Sequence, residues 1–240
     1  MAVDELFLPV RRIEPIGAAE LDAGSWPYYL PPVRQLLHEG LDLGEATVIV
    51  GENGSGKSTL VEAIAMAYGM NPEGGSTGAM HRTKESESSL YEHFKLFRGA
   101  AAPRKGFFLR AETMHSFYTY LDESRFETNL HERSHGESFL DLVEERIRYI
   151  KGLWMFDEPE SALSLSGCVK LLGLIERLRE QGSQIILSTH SPVLAAMRGA
   201  QIYEIGCWGM RQRPYDQLEL VNNWRDCLND PQGFISRYSD

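Results

Sequence analysis

Apolar positions along this chain follow two rhythms that take turns. Ala46-Thr47-Val48-Ile49-Val50 is a continuous, largely β-branched run ending at Gly51, and it predicts a buried strand. Residues 58–68 then predict a helix, which Gly69 stops. Residues 106–110 predict a short strand. Phe139, Leu142, Val143, Ile147 and Ile150 fall at helical spacing over residues 138–151. Residues 152–156 predict an apolar strand. Leu171, Leu172, Ile175 and Leu178 mark a helix over 163–181 that Gly182 ends. Residues 184–188 and 201–205 predict strands, and 221–229 a last helix. Near the start, residues 6–13 read as a strand. The aromatic–proline stretch 26–32 cannot be a helix interior. Residues 71–89, rich in Gly, Ser, Thr and charge, predict a loop or insert. Alternating strands and helices imply an α/β fold with a mostly parallel sheet covered on both faces.

Composition narrows this picture. With 240 residues and 42% hydrophobic content, one α/β domain with its own core is expected. No run approaches the roughly 18 apolar residues of a membrane span. Residues 1–9 lack a basic start, a long apolar stretch and a cleavage site, so no signal peptide is expected. Three cysteines, with no C-x-x-C pair, suit a reduced, cytoplasmic protein. A net charge of −10 argues against a globally basic nucleic-acid binder, but a local basic groove stays open.

The chemistry begins at Gly51-Glu52-Asn53-Gly54-Ser55-Gly56-Lys57-Ser58-Thr59. This is a complete G-x-x-x-x-G-K-[ST] phosphate-binding loop, set between a strand and a helix as that motif requires. Its glycines let backbone N–H groups close on phosphate oxygens. Lys57 can place its ammonium on the β- and γ-phosphates, and the Ser58 hydroxyl can hold Mg²⁺. A second strand delivers Asp157 and Glu158 at its end, before Pro159. Neighbouring side chains on a strand diverge. Asp157 can therefore reach a Mg²⁺ shell while Glu158 faces an attacking water as general base or water positioner. His190, in Ser188-Thr189-His190-Ser191-Pro192, follows the next strand. It can reach a γ-phosphate or that water.

These three motifs together resemble the ABC (ATP-binding-cassette) ATPases, matching their Walker A loop, Walker B strand with catalytic glutamate, and switch histidine. Arg133-Ser134-His135-Gly136-Glu137 resembles the superfamily signature L-S-G-G-Q in divergent form. Ser134 and Gly136 match it, whereas Arg133, His135 and Glu137 depart. Residues 160–164 look like the D-loop that touches a partner subunit. Residues 106–112 occupy the place of the Q-loop, with Glu112 where a glutamine would reach Mg²⁺ and water. The resemblance runs from about residue 6 to residue 205. Residues 107–112 and 134–138 also look like small stand-alone bacterial ATPases often labelled AAA-type.

The resemblance implies a P-loop NTPase fold with an N-terminal antiparallel β portion. It implies one domain over 1–240, with a helical signature subdomain at about 70–150 between the phosphate loop and Asp157. It implies Mg²⁺-dependent ATP hydrolysis by a head-to-tail dimer. Each ATP would lie between Lys57 of one chain and Ser134 and Gly136 of the other. Ser134 follows Glu112 by only 22 positions. That interval excludes the long coiled coils of chromosome-maintenance ATPases and is short for a permease-docking subdomain. The expectation is therefore a soluble ATPase in nucleic-acid- or defence-related work, with a transporter ATP-binding subunit as the alternative. Tyr28 and Tyr29 are candidates either for adenine stacking or for core packing. Lys95, Arg98, Arg104 and Lys105 form either a solvated face or a phosphate contact. ATP is the default nucleotide, since the guanine-reading N-K-x-D motif is absent from the sequence.

Overall fold

The computed structural model describes residues 5–17, 24–77, 88–111 and 135–237. Its main sheet has seven strands: β3 (Ala46–Gly51), β4 (Gly75–Ser76), β6 (Gly106–Arg110), β7 (Leu153–Asp157), β8 (Gln184–Thr189), β9 (Gln201–Gly206) and β10 (Gly209–Gln212). The spatial order is β10-β9-β3-β8-β7-β6-β4. The five strands from β9 to β6 are parallel, and β10 and β4 close the edges antiparallel. A second, antiparallel sheet joins β1 (Arg12–Pro15), β2 (Leu41–Asp42) and β5 (Phe94–Phe97) in the order β2-β1-β5. The fold is thus the mixed α/β arrangement expected, with its N-terminal antiparallel part.

Strand alternation fills two cores, one on each face of the main sheet. Val48, Val50, Trp154, Phe156, Ile185 and Leu187 point to one face. There they meet α3 (His135–Ile147), α4 (Leu165–Glu180) and α6 (Glu219–Asn229) through Val143, Leu171, Ile175 and Val221. Ile49, Met155 and Ile186 point to the other face. They pack on α1 (Pro31–Glu39) and α2 (Lys57–Tyr68) through Leu36, Leu60 and Ile64. Short α5 (Pro192–Ala195) and terminal α7 (Pro231–Arg237) complete the helices of the described residues. None of the described helices is long and apolar enough to cross a membrane.

Several boundaries differ from the sequence reading. Residues 6–13 are not one strand: Glu5–Phe7 is a 3₁₀ turn, and the strand begins at Arg12. Pro9 offers no N–H for a ladder in that run. The proline stretch ends by opening α1, where Pro31 and Pro32 occupy the first turn, whose N–H groups need no partner. The helix expected at 163–181 starts at Leu165, because Ser164 caps it by accepting from Gly167 N at 3.2 Å. The interval from about 70 to 150 holds the strand expected at 106–110 and two strands that were not expected, β4 and β5. β4 and β6 join the main sheet from it, and β5 joins the small one.

Gly152 sets the entry to β7. Its φ is 149°, and a Cβ there would lie 2.0 Å from the Lys105 carbonyl oxygen. That oxygen already accepts from Leu153 N at 3.1 Å. Gly152→Ala is expected to destabilise the fold by about 1–3 kcal/mol. Urea denaturation checks this; an unchanged midpoint would show that the β6–β7 junction yields freely.

Candidate functional site

β3, β7 and β8 lie side by side, so their C-terminal ends gather three motifs that are far apart in sequence. β3 ends at Gly51, and the loop through Asn53, Gly54 and Ser55 turns into α2 at Gly56. The φ of Gly56 is 101°, a left-handed conformation that admits glycine without strain. No side chain caps α2, so its first N–H groups and its dipole face the loop. Lys57, Ser58 and Thr59 form the first turn. The Lys57 ammonium is buried, 2.9 Å from the Glu52 carbonyl oxygen and 3.3 Å from Glu158 Oε1. Burial pushes its pKa down, and the Glu158 carboxylate opposes that shift.

Asp157 ends β7 and is also buried. Ser188 Oγ donates to its Oδ1 at 2.5 Å, and Arg110 Nε stands 3.5 Å from Oδ2. Burial raises its pKa, against the Ser188 hydrogen bond, the Arg110 charge and a hydrogen bond from Ser58. Glu158 follows with φ 47° and ψ 49°, the only non-glycine residue at positive φ among the described residues. This turn swings the carboxylate off the strand towards the loop. There it meets Lys57 and, at 2.8 Å, His190 Nε2.

A family model described as an AAA domain matches residues 35–148. The ribose import ATP-binding protein RbsA 2 of Streptomyces coelicolor is 29% identical over 171 residues, which cover 61% of this chain and 33% of that protein. The cytochrome c biogenesis ATP-binding export protein CcmA of Rhizobium meliloti is 26% identical over 175 residues, 64% of this chain and 81% of that protein. The fold matches a chain from a structure described as an inward-facing metal-chelate type ABC transporter. Its TM-score is 0.50 at 16% identity, covering 92% of this chain and 88% of the other. The chain is thus similar to ATP-binding proteins of the ABC type. It spans about a third of the length of the ribose import relatives it matches.

The expected residues divide into three groups. Lys57, Ser58, Asp157, Glu158 and His190 converge beside the loop that carries Asn53, Gly54, Ser55 and Gly56. Gly136 falls in the first turn of α3. Ser134 and Glu112 lie outside the described residues. The donors near Asp157 suit Mg²⁺, because the Asp157 carboxylate and the Ser58 hydroxyl are hard oxygen ligands. Among the described residues no group of three or more His, Cys, Asp or Glu could hold a metal alone.

Further residues support the site. Ser188 and Arg110 hold Asp157, and Arg110 also binds Glu62 of α2 at 2.7 Å. Glu160 accepts from Thr189 Oγ1 at 2.8 Å and from His190 N, so the segment after Glu158 clamps the end of β8. Tyr28 takes the packing alternative: its hydroxyl meets Ser89 Oγ at 2.8 Å, and its ring meets His93 edge-on at 5.5 Å. Arg98 is likewise committed to the fold, with its guanidinium 4.4 Å from the Tyr68 ring centroid.

Proposed function

We propose that this ATPase hydrolyses Mg-ATP at the loop of residues 51–59, with Glu158 as general base. The observation that carries this is the meeting of Glu158 with Lys57 and His190 on one carboxylate. The N-terminus of α2 and the Lys57 ammonium would bind the β- and γ-phosphates. Phosphate oxygens would then share the charge of Lys57 that Glu158 now engages. The freed carboxylate oxygen would take a proton from the attacking water, and His190 would orient the other oxygen. Ser58 and Asp157 would hold Mg²⁺, with Glu112 a further candidate ligand. Bound there, the metal would neutralise charge on the phosphate oxygens.

The closed form in this proposal is a head-to-tail dimer in which Ser134 and Gly136 of the second copy cover the γ-phosphate. The divergent signature supports it through a serine hydroxyl, a glycine backbone and a helix start. The test is the molar mass in solution of the Glu158→Gln variant with and without Mg-ATP. A mass that doubles only with Mg-ATP supports the sandwich. A monomer in both states, with ATP binding verified, removes the trans role of Ser134 and Gly136.

For the work coupled to the cycle, the relatives favour a second reading. Their names are those of import and export ATP-binding proteins, which supports an ATP-binding subunit acting with a membrane partner. The nucleic-acid- or defence-related role gains no support from them, and Arg98 of its basic cluster is occupied. Co-purification with a membrane protein would favour transport. ATP-dependent retention on DNA or RNA, falling steeply with salt, would favour the nucleic-acid role.

A further inference from the structure

A cavity of about 560 Å³ opens directly against the outer side of the phosphate loop. This lies within the range of roughly 300–1,000 Å³ found for small-molecule sites. One wall is the loop itself, from Gly51 to Ser55, with His190 at its rim. The β9–β10 turn and α6 also line it, with two tryptophans, Trp208 and Trp224. Trp208 is backed by Gly206, where a Cβ would lie 2.8 Å from the indole, and by Arg211, whose guanidinium is 5.4 Å from the ring centroid. It is therefore a fixed wall. Trp224 is 48% exposed and presents the larger open indole surface.

Charge separates what this cavity can take from what the loop can take. The described lining residues include Glu52, Glu204 and Glu219 but no lysine or arginine. Phosphates are repelled there and drawn to Lys57 and the N-terminus of α2. A flat, uncharged ring with polar edges fits the remainder: indole faces for stacking, and the Glu52 and Glu219 carboxylates with the Asn223 amide for its N–H groups, since Glu204 is already paired with Arg213 at 3.3 Å and with Glu219 N at 2.6 Å. Tyr28, the sequence-based candidate for the ring partner, is engaged with Ser89 and His93, and neither Tyr28 nor Tyr29 lines the cavity.

We infer that the base of the bound nucleoside triphosphate lies in this cavity, stacked on Trp224 against the Trp208 wall. The inference rests on the phosphate-loop reading above. It makes Trp224 a specificity-determining residue in a helix far along the chain from that loop.

The test compares ATP with inorganic tripolyphosphate, which has the phosphates and no base, by calorimetric titration of the full chain. Trp224→Ala and Trp208→Ala are expected to weaken ATP by about 5- to 150-fold, from the usual worth of a base–aromatic stack, and to leave tripolyphosphate unchanged. Unchanged ATP affinity in both variants would overturn the inference, as would equal losses for both ligands. So would loss of ATP affinity in Tyr28→Ala alone. If neither ligand binds the unaltered chain, the phosphate-loop reading fails first and the base site falls with it. A second readout needs no variant. Cys207 is exposed and lines the cavity, while Cys168 is buried and Cys227 half-buried. ATP should slow alkylation of Cys207 while tripolyphosphate does not; equal rates with both would overturn the placement.

Discussion

Replacing Lys57 with alanine is expected to reduce phosphate release from Mg-ATP by at least about 10²- to 10³-fold, the usual loss when one preorganised charge donor is removed. The fold should tolerate the change. Lys57 is a buried ammonium whose pKa is lowered by desolvation, so the folded state disfavours its charge relative to the unfolded chain. Glu158, its partner, keeps His190 at 2.8 Å. The urea midpoint is therefore expected to hold or rise while activity disappears. A midpoint that falls in step with activity would mean that Lys57 acts as a structural tie between the loop and β7. Undiminished turnover would remove the loop from the chemistry altogether.

Glu158→Gln should separate binding from reaction. The amide keeps the size of the side chain and can still hydrogen-bond His190, but it is not a useful base. Turnover is expected to fall by about 10²- to 10⁴-fold, the usual contribution of a positioned base. ATP affinity should stay within a few-fold of the parent, because Lys57, Ser58 and the loop backbone are unchanged. Single-turnover phosphate release beside equilibrium ATP binding distinguishes these quantities. Loss of both together would make Glu158 a binding group, tied to the triphosphate through Lys57.

The elements whose information is local were legible in the sequence. The phosphate loop is contiguous, and its strand and helix carry their own periodicity and stop signals. The residues that support the site were not legible. Asp157 is held by Ser188 and Arg110, which align with it only through the registers Asp157↔Ser188 and Arg110↔Asp157. Register across parallel strands depends on long-range packing, and no pattern within one strand encodes it. Glu160, in the segment expected to face a partner, also clamps the end of β8 within its own chain. The Trp224 helix was expected, but its place against the phosphate loop follows from how β9, β10 and α6 pack.

The left-handed backbone of Glu158 bears on how this protein could be improved or spoiled. A non-glycine residue in that conformation costs about 1–2 kcal/mol. Asparagine, which accepts it more readily, would be welcomed there by any selection for heat resistance alone. Its side chain is shorter and has no carboxylate to offer water. Thermostability screens on this protein should therefore enrich inactive clones at position 158 unless turnover is scored alongside survival.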